Sequence, residues 1–485
     1  MPARNIIKSI QDIMRKDAGV DGDAQRLSQL CWMLFLKIIC SQEEQIKRIN
    51  PRKTLIIPEE LQWKTWATNG ALTGEELLTF INNELFPKLK NLSAPGSGKK
   101  RAEVIVDVFE DARNYMKDGT LIRQAINKID EINFESLVER KNLGDIYEQM
   151  LNDLQAAGNS GEFYTPRGLT AFIVKAISPE PGEVILDPSC GTGGFLTDSI
   201  RFMRNNSLNI ESSEPKIQKS LRAIELKQLP HMLCVTNMLL HEIEDASFVK
   251  HKNSLSHPIE NIKPSDQVDI ILTNPPFGAT VQDGLEKNFP EQLRSKETTD
   301  LFIILIIKLL KNKGRAAVVV PDGFLFGEGS TRARIRKFLL QQCDLHTVVC
   351  LPNSIFKPYA SIGTNILFFE KGKKTNDVWF YEHKVPANQK SYSMTKPIRA
   401  EHLDQCLEWW GGADRKNRKE NDHAWRISIE QIEKKQYSLD FKNPYNAEHS
   451  YDSPENLIAE LAKADERIKI QRELLQKLLR EAFAE

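Results

Sequence analysis

The sequence has no net charge, no closely spaced cysteine pair and no long apolar run, and each absence removes a class of protein. Lysine and arginine number 66, matched by 66 aspartates and glutamates. The surface as a whole therefore does not attract nucleic acid, and a DNA substrate would need much of its grip from a partner. The seven cysteines (Cys31, Cys40, Cys190, Cys234, Cys343, Cys350 and Cys406) are odd in number and widely spaced, with no CxxC. That argues against a disulfide framework or a zinc site, so no metal is expected and a reducing cytoplasm is. The N-terminus has none of the features of a signal peptide. The most apolar segment, Leu30 to Cys40, contains Lys37 and is too short to span a bilayer, so no membrane association is expected. Gly98-Lys99 is not a phosphate loop, because the earlier glycine is at the wrong spacing and no Ser or Thr follows the lysine.

The 485 residues suffice for two or three domains, and 40% hydrophobic with 27% charged residues is ordinary for a globular chain. Residues 1–155 read as a helical domain. Leu27, Leu30, Cys31, Leu34 and Ile38 share one helical face, and Trp32, Met33, Phe35 and Ile39 widen it until the helix is buried on most sides. No catalytic constellation appears there, so its role is packing. From 156 to 373 strands and helices alternate, which implies an α/β, Rossmann-like doubly wound, mostly parallel sheet. Within it 278–296 reads as a mobile loop, and Arg332, Arg334, Arg336 and Lys337 read as a solvated basic helix face. Residues 374–452 give short, mixed segments, an irregular extension with a charge run at 415–419. In 453–485, Ser453 caps a helix and Pro454 takes its first turn. Leu457, Leu461, Ala464, Ile468, Leu475, Leu478 and Ala482 then form a coiled-coil-like seam with Gln471 as its polar interruption, suited to contact with another subunit.

The chemistry is carried by strand ends. Val268 to Leu272 is a β-branched apolar run, and Asn274-Pro275-Pro276-Phe277 stops it, because proline cannot donate to a ladder. Asn274 then sits at the carboxyl end of a strand, where open α/β sheets bind ligands. The Asn274 amide oxygen and the Pro275 carbonyl offer two acceptors, and Phe277 offers a π face beside them. That combination suits an exocyclic base amine about to attack an electrophile. Upstream, the strand Glu183 to Asp187 runs into Pro188-Ser189-Cys190-Gly191-Thr192-Gly193-Gly194-Phe195 and an apolar helix. This strand–glycine loop–helix unit allows close backbone approach at a helix N-terminus. Glu225 ends the next strand, a place where acidic residues bind ribose hydroxyls. Before these, in Glu162-Phe163-Tyr164-Thr165-Pro166-Arg167, Thr165 is a suitable N-cap and Pro166 a suitable first helical residue.

Taken together, residues 161–166, Asp187 to Leu196, Glu225, Asn274 to Phe277 and the stretch 363–369 resemble amino-methyltransferases that use S-adenosylmethionine. The likeness is closest to the methylation subunit of type I restriction–modification systems and spans nearly the whole chain. The resemblance implies N6-adenine methylation of double-stranded DNA after base flipping. It places the cofactor at Glu162, Phe163, Tyr164, Thr165, Pro166, Arg167, Asp187, Gly191, Thr192, Gly193, Gly194 and Glu225, and the base at Asn274, Pro275, Pro276 and Phe277. It also implies a separate specificity subunit that reads the target, two methylation subunits flanking it, and a nuclease subunit for restriction. One departure is at the third strand end, where related sequences often carry Gly-Asp and this chain has Lys252-Asn253-Ser254. RNA-base and protein-glutamine methyltransferases also use Asn-Pro-Pro-aromatic, typically with tyrosine, and a non-catalytic scaffold would keep the same fold.

Overall fold

The structure is a computed structural model. It describes residues 3–94, 96–134, 143–148, 151, 165–326, 331–357, 362–393, 395–412 and 414–445, with positions 462, 465, 468, 469 and 471–473. Glu162, Phe163 and Tyr164, and all but those few positions of the C-terminal seam, lie outside the described residues.

One nine-stranded sheet organises the chain, in the order β3-β2-β1-β4-β5-β7-β6-β8-β9. The strands are β1 (Ile185–Asp187), β2 (Leu221–Glu225), β3 (Val249–His251), β4 (Val268–Thr273), β5 (Leu310–Pro321), β6 (Cys343–Leu351), β7 (Thr364–Lys371), β8 (Asp377–Glu382) and β9 (Ala424–Ser428). The first five are mutually parallel, whereas β7 is antiparallel to both β5 and β6. Burial explains why these residues become central strands. In β4 every position but Asp269 is buried, and in β7 the first six are, as a sheet covered on both faces requires. Because β1 pairs with β4, with Ile185 opposite Ile270 and Leu186 opposite Ile271, the glycine loop and the Asn-Pro-Pro-Phe turn leave the same edge side by side.

Three expectations need correction, and one charge run proves partly buried. The sheet does not stop at 373: β8 pairs with β6 and β9 with β8, so the extension completes the sheet. Residues 278–296 are fastened to the body by buried Val281, Phe289 and Leu293 and by a bridge from Thr280 to Glu297. The basic face of the helix Thr331–Gln342 is solvated only at Arg334 and Lys337. Arg336 is fully buried and donates to the carbonyls of Phe324, Phe326 and Tyr437, while Arg332 pairs with the buried Asp300. In the 415–419 run, Arg418 is buried between the Trp409 and Trp410 rings and donates to Thr347 Oγ1 at 2.7 Å. In each case backbone carbonyls or ring faces replace water around the guanidinium.

The N-terminal helices pack onto the sheet layer. The helix Asp23–Ile49 buries Leu27 through Leu36 without a break and meets the helix Gln228–Leu240 through Cys31, whose thiol lies 3.2 Å from Thr236 Oγ1. No helix among the described residues is long and apolar enough to cross a membrane, and no group of three metal-ligating side chains occurs among them.

Candidate active site

β4 delivers Asn274 half-buried at the sheet edge. Its Nδ2 donates to Thr165 Oγ1 at 3.1 Å, which fixes the amide plane and leaves Oδ1 buried with no hydrogen-bond partner. A buried acceptor left unpaired costs about 1–3 kcal/mol, so this oxygen is built for a donor that arrives later. The Pro276 carbonyl is held by Thr299 Oγ1 at 3.2 Å, which pins the turn, whereas the Pro275 carbonyl has no partner among the described residues. Phe277 is half-buried, and its ring lies 6.0 Å from that of Phe356 at 88°. Phe356, buried on the loop after β6, thus packs perpendicular to the Phe277 ring and fixes it.

The neighbouring strand ends form a second cluster. Gly191 (φ 53°) and Gly193 (φ 84°) adopt backbone conformations that side chains rarely take. A Cβ on Gly193 would come within 2.9 Å of Cys234 Sγ, so the loop lies directly on the helix Gln228–Leu240. Thr192 is held by its carbonyl, which accepts from Asn237 Nδ2 at 2.9 Å. Glu225 accepts from the Gly191 amide at 2.9 Å and the Lys227 amide at 2.8 Å. The Leu226 amide bonds the carboxylate as well, which leaves about one of its roughly four lone-pair sites for a ribose hydroxyl. Leu226 beside it is 57% exposed, an apolar surface open to a flat ring. Asp187 is buried, and burial pushes its carboxyl up to about 7, although the Thr273 hydroxyl and the Ser189 amide pull it back. Ser189 Oγ and Thr273 Oγ1, 2.7 Å apart, tie the glycine loop to the residue before Asn274. At the third strand end, Asn253 Oδ1 accepts from the Leu255 amide and closes its own turn.

Three of the cofactor-site expectations take a different form. Thr165 is not the N-cap: the helix Arg167–Ile177 begins one residue later, with Pro166 at the cap position, and the Thr165 hydroxyl serves Asn274 instead. Pro166 is accordingly outside the helix. Arg167 turns inward against Gly194, where an added Cβ would meet its guanidinium, and pairs with Glu148 at 2.5 Å. Burial pushes the Glu148 carboxyl up, but Arg167, His241 and Asn237 outweigh it and hold it below its ordinary range. Glu148 also accepts from Asn237 Nδ2 at 2.8 Å, so a residue of the N-terminal region helps to hold the glycine loop. Sequence reasoning missed Glu148, Asn237, Leu226 and Phe356. Only Leu226 carried a signal, as an apolar residue directly after the strand-end acid.

Residues 138–453 match the N-6 DNA methylase family, and residues 3–129 match the HsdM N-terminal domain. The chain is 50% identical to the type I restriction enzyme EcoEI methylase subunit of Escherichia coli, over 100% of this chain and 99% of the relative. Among solved structures, a modification subunit of a type I restriction enzyme from Vibrio vulnificus is 38% identical with a TM-score of 0.78, covering 92% of this chain and 97% of that one. A chain solved in work on complex assembly and conformational transition of the type I R-M system is 33% identical with a TM-score of 0.82, over 98% of both. With a mixed sheet of this topology, the asparagine turn at its β4 end and helices ahead of it, the chain belongs to this family: it is a type I restriction–modification methylase subunit.

Proposed function

We propose that this chain transfers a methyl group from S-adenosylmethionine to N6 of a flipped adenine in duplex DNA, and that Asn274 and the Pro275 carbonyl orient the amine. The observation that carries the reading is the buried, unpartnered Asn274 Oδ1 in the turn that also holds the half-buried Phe277. S-adenosylmethionine supplies a sulfonium methyl as the electrophile. Asp187, Gly191 to Gly194, Glu225 and Leu226 are suited to hold it: an open glycine backbone, a carboxylate oriented by backbone amides and an apolar plate. Glu162, Phe163, Tyr164 and Pro166 belong to the same proposed site by family resemblance, while Thr165 and Arg167 support it from behind.

Adenine N6 is a poor nucleophile because its lone pair is delocalised into the ring. Flipping the base costs about a few kcal/mol, and stacking on Phe277 recovers roughly 1–3 kcal/mol of it. Asn274 Oδ1 and the Pro275 carbonyl each accept one N6 hydrogen, which turns the lone pair out of the ring and toward the methyl. As N6 becomes positive the same two oxygens stabilise it, and being fixed they need no reorganisation. Holding the two reacting atoms in line supplies the proximity contribution.

We further propose that target choice comes from a separate specificity subunit, with two copies of this chain flanking it and a nuclease subunit joining for restriction. Residues 453–485, whose sequence carries the apolar seam, are the candidate contact. Deleting residues 454–485 is expected to abolish co-purification with the specificity subunit. The chemistry is tested by transfer of tritiated methyl to DNA, RNA and protein by the assembled complex. Label in N6-methyladenine of DNA is expected; label only in RNA or protein would overturn the assignment. Calorimetry with the cofactor should show Asn274→Ala binding it like the parent, and full transfer activity in that variant would remove the role given to Asn274.

A further inference from the structure

In a chain whose charges cancel, residues 383–399 (His-Lys-Val-Pro-Ala-Asn-Gln-Lys-Ser-Tyr-Ser-Met-Thr-Lys-Pro-Ile-Arg) contain Lys384, Lys390, Lys396 and Arg399 and no acid. The segment is fastened at the carboxyl end of β6. The His383 amide donates to the Cys350 carbonyl at 3.0 Å, and the Tyr392 amide donates to Ser354 Oγ at 3.1 Å. Tyr392 and Ile398 are buried, and the Tyr392 hydroxyl lies 2.7 Å from His383 Nε2. With these residues turned in, Lys390, Lys396 and Arg399 are exposed, as is Lys357 on the adjoining loop. Lys384 pairs with Glu382. The other four form no ion pair and no side-chain hydrogen bond among the described residues.

Their placement relative to the base site is specific. A Cβ on Gly168 would lie 2.7 Å from Arg399 Cα, and Gly168 is in the first turn after Thr165, which holds Asn274. Lys357 directly follows Phe356, whose ring meets Phe277. Arg399 and Lys357 are thus each joined to a residue beside one that supports the asparagine turn, and Lys390 and Lys396 belong to the same segment as Arg399. Of the arginines at 332–336, Arg332 and Arg336 are engaged inward, and the exposed Arg334 is held by the Gln292 carbonyl and Thr331 Oγ1.

We propose that Lys357, Lys390, Lys396 and Arg399 form a track that binds the phosphates of the DNA strand carrying the target adenine. This rests on the reading of DNA as substrate and adds which surface holds it. Phosphate contacts carry no sequence information but fix the backbone on either side of the base, which suits a subunit whose target is read elsewhere. Cations without internal partners are free to replace condensed counterions, and each contact made this way steepens the salt dependence by about 0.9.

The test is binding of the full chain to a mixed-sequence duplex over a salt series. The variant carrying Lys357→Gln, Lys390→Gln, Lys396→Gln and Arg399→Gln is expected to lose roughly 3–4 from the slope of log K against log salt, and about a hundredfold or more in affinity near 0.1 M salt. A control neutralising the exposed Lys8, Lys16, Lys47 and Lys53 to Gln should keep the parent slope, and melting temperatures should match in all three. An unchanged slope in the track variant, an equal loss in the control, or a parent chain with no measurable duplex binding would overturn the proposal. A track variant that keeps its slope but no longer assembles with the specificity subunit would assign the surface to protein and overturn it as well. If the wild-type complex still labels adenine while the track variant keeps its slope, the track alone has failed; a wild-type complex that labels no DNA fails the reading beneath it.

Discussion

The two halves of the site sit on adjacent strands and are built on opposite terms. At the glycine loop the polar groups hold one another: Glu148 takes Arg167 and Asn237, Asn237 takes the Thr192 carbonyl, and Glu225 takes the Gly191 amide. The Asn237 Oδ1 is left over inside that cluster, behind the loop, whereas at the end of β4 the unpartnered amide oxygen of Asn274 stands at the sheet edge itself. The difference teaches that damage should read out differently. A change in the first half disturbs the fold and cofactor binding together, whereas a change in the second disturbs the rate and leaves the fold alone.

The sharpest way to break that contrast is Glu148→Ala. It strands the buried Arg167 guanidinium, and breaking a buried pair from one side costs about 3–5 kcal/mol, so denaturant unfolding should show a loss of that order with weakened cofactor binding. Asn274→Ala should instead keep the parent unfolding curve and lose about a hundred- to thousandfold in transfer rate, the range for removing one preorganised polar group at a developing charge. Phe277→Ala should weaken capture of an extrahelical adenine by roughly 1–3 kcal/mol, read by fluorescence of a 2-aminopurine placed at the target position.

A smaller effect sharpens the first half. Burial has pushed Asp187 up to about 7, so in the folded chain it ionises only near neutrality. Because the unfolded chain ionises it in the ordinary carboxylate range, stability of the ligand-free fold should fall as pH rises from about 4 through about 7 and then level off. A cationic methyl donor favours the ionised carboxylate. Its affinity should therefore rise with pH across the same point, by up to about tenfold per pH unit, and Asp187→Asn should flatten the rise in calorimetry. The smallest expected effect is Thr165→Val. Losing the acceptor that orients Asn274 Nδ2 should lower transfer by about 1 kcal/mol, with cofactor affinity unchanged.

What was legible in the sequence was local. β4 announced itself by Val268, Ile270, Ile271 and Leu272 and two prolines, and the glycine loop by its own spacing, because turn chemistry and strand ends are written in neighbouring residues. The run Val378-Trp379-Phe380-Tyr381 carried an equally local strand signal, and reading 374–452 as irregular overlooked it. Other features were not available in that form. Arg336 and Arg418 look like solvated charges until carbonyls and rings from distant segments close around them, Tyr437 lying 101 positions from Arg336. The Thr165 hydroxyl had a sound local use as a helix cap, and a partner 109 residues away took it for something else.

The placement of β8 has a practical consequence for anyone cutting this chain into pieces. A fragment ending at 373 would contain every residue proposed to touch cofactor or base, yet it would strip the flank from β6, whose positions are buried at all but two places. A bared apolar border of that length is a template for joining to another molecule, so such a fragment should come out of solution rather than methylate anything. Any minimal catalytic piece has to run at least through Ser428.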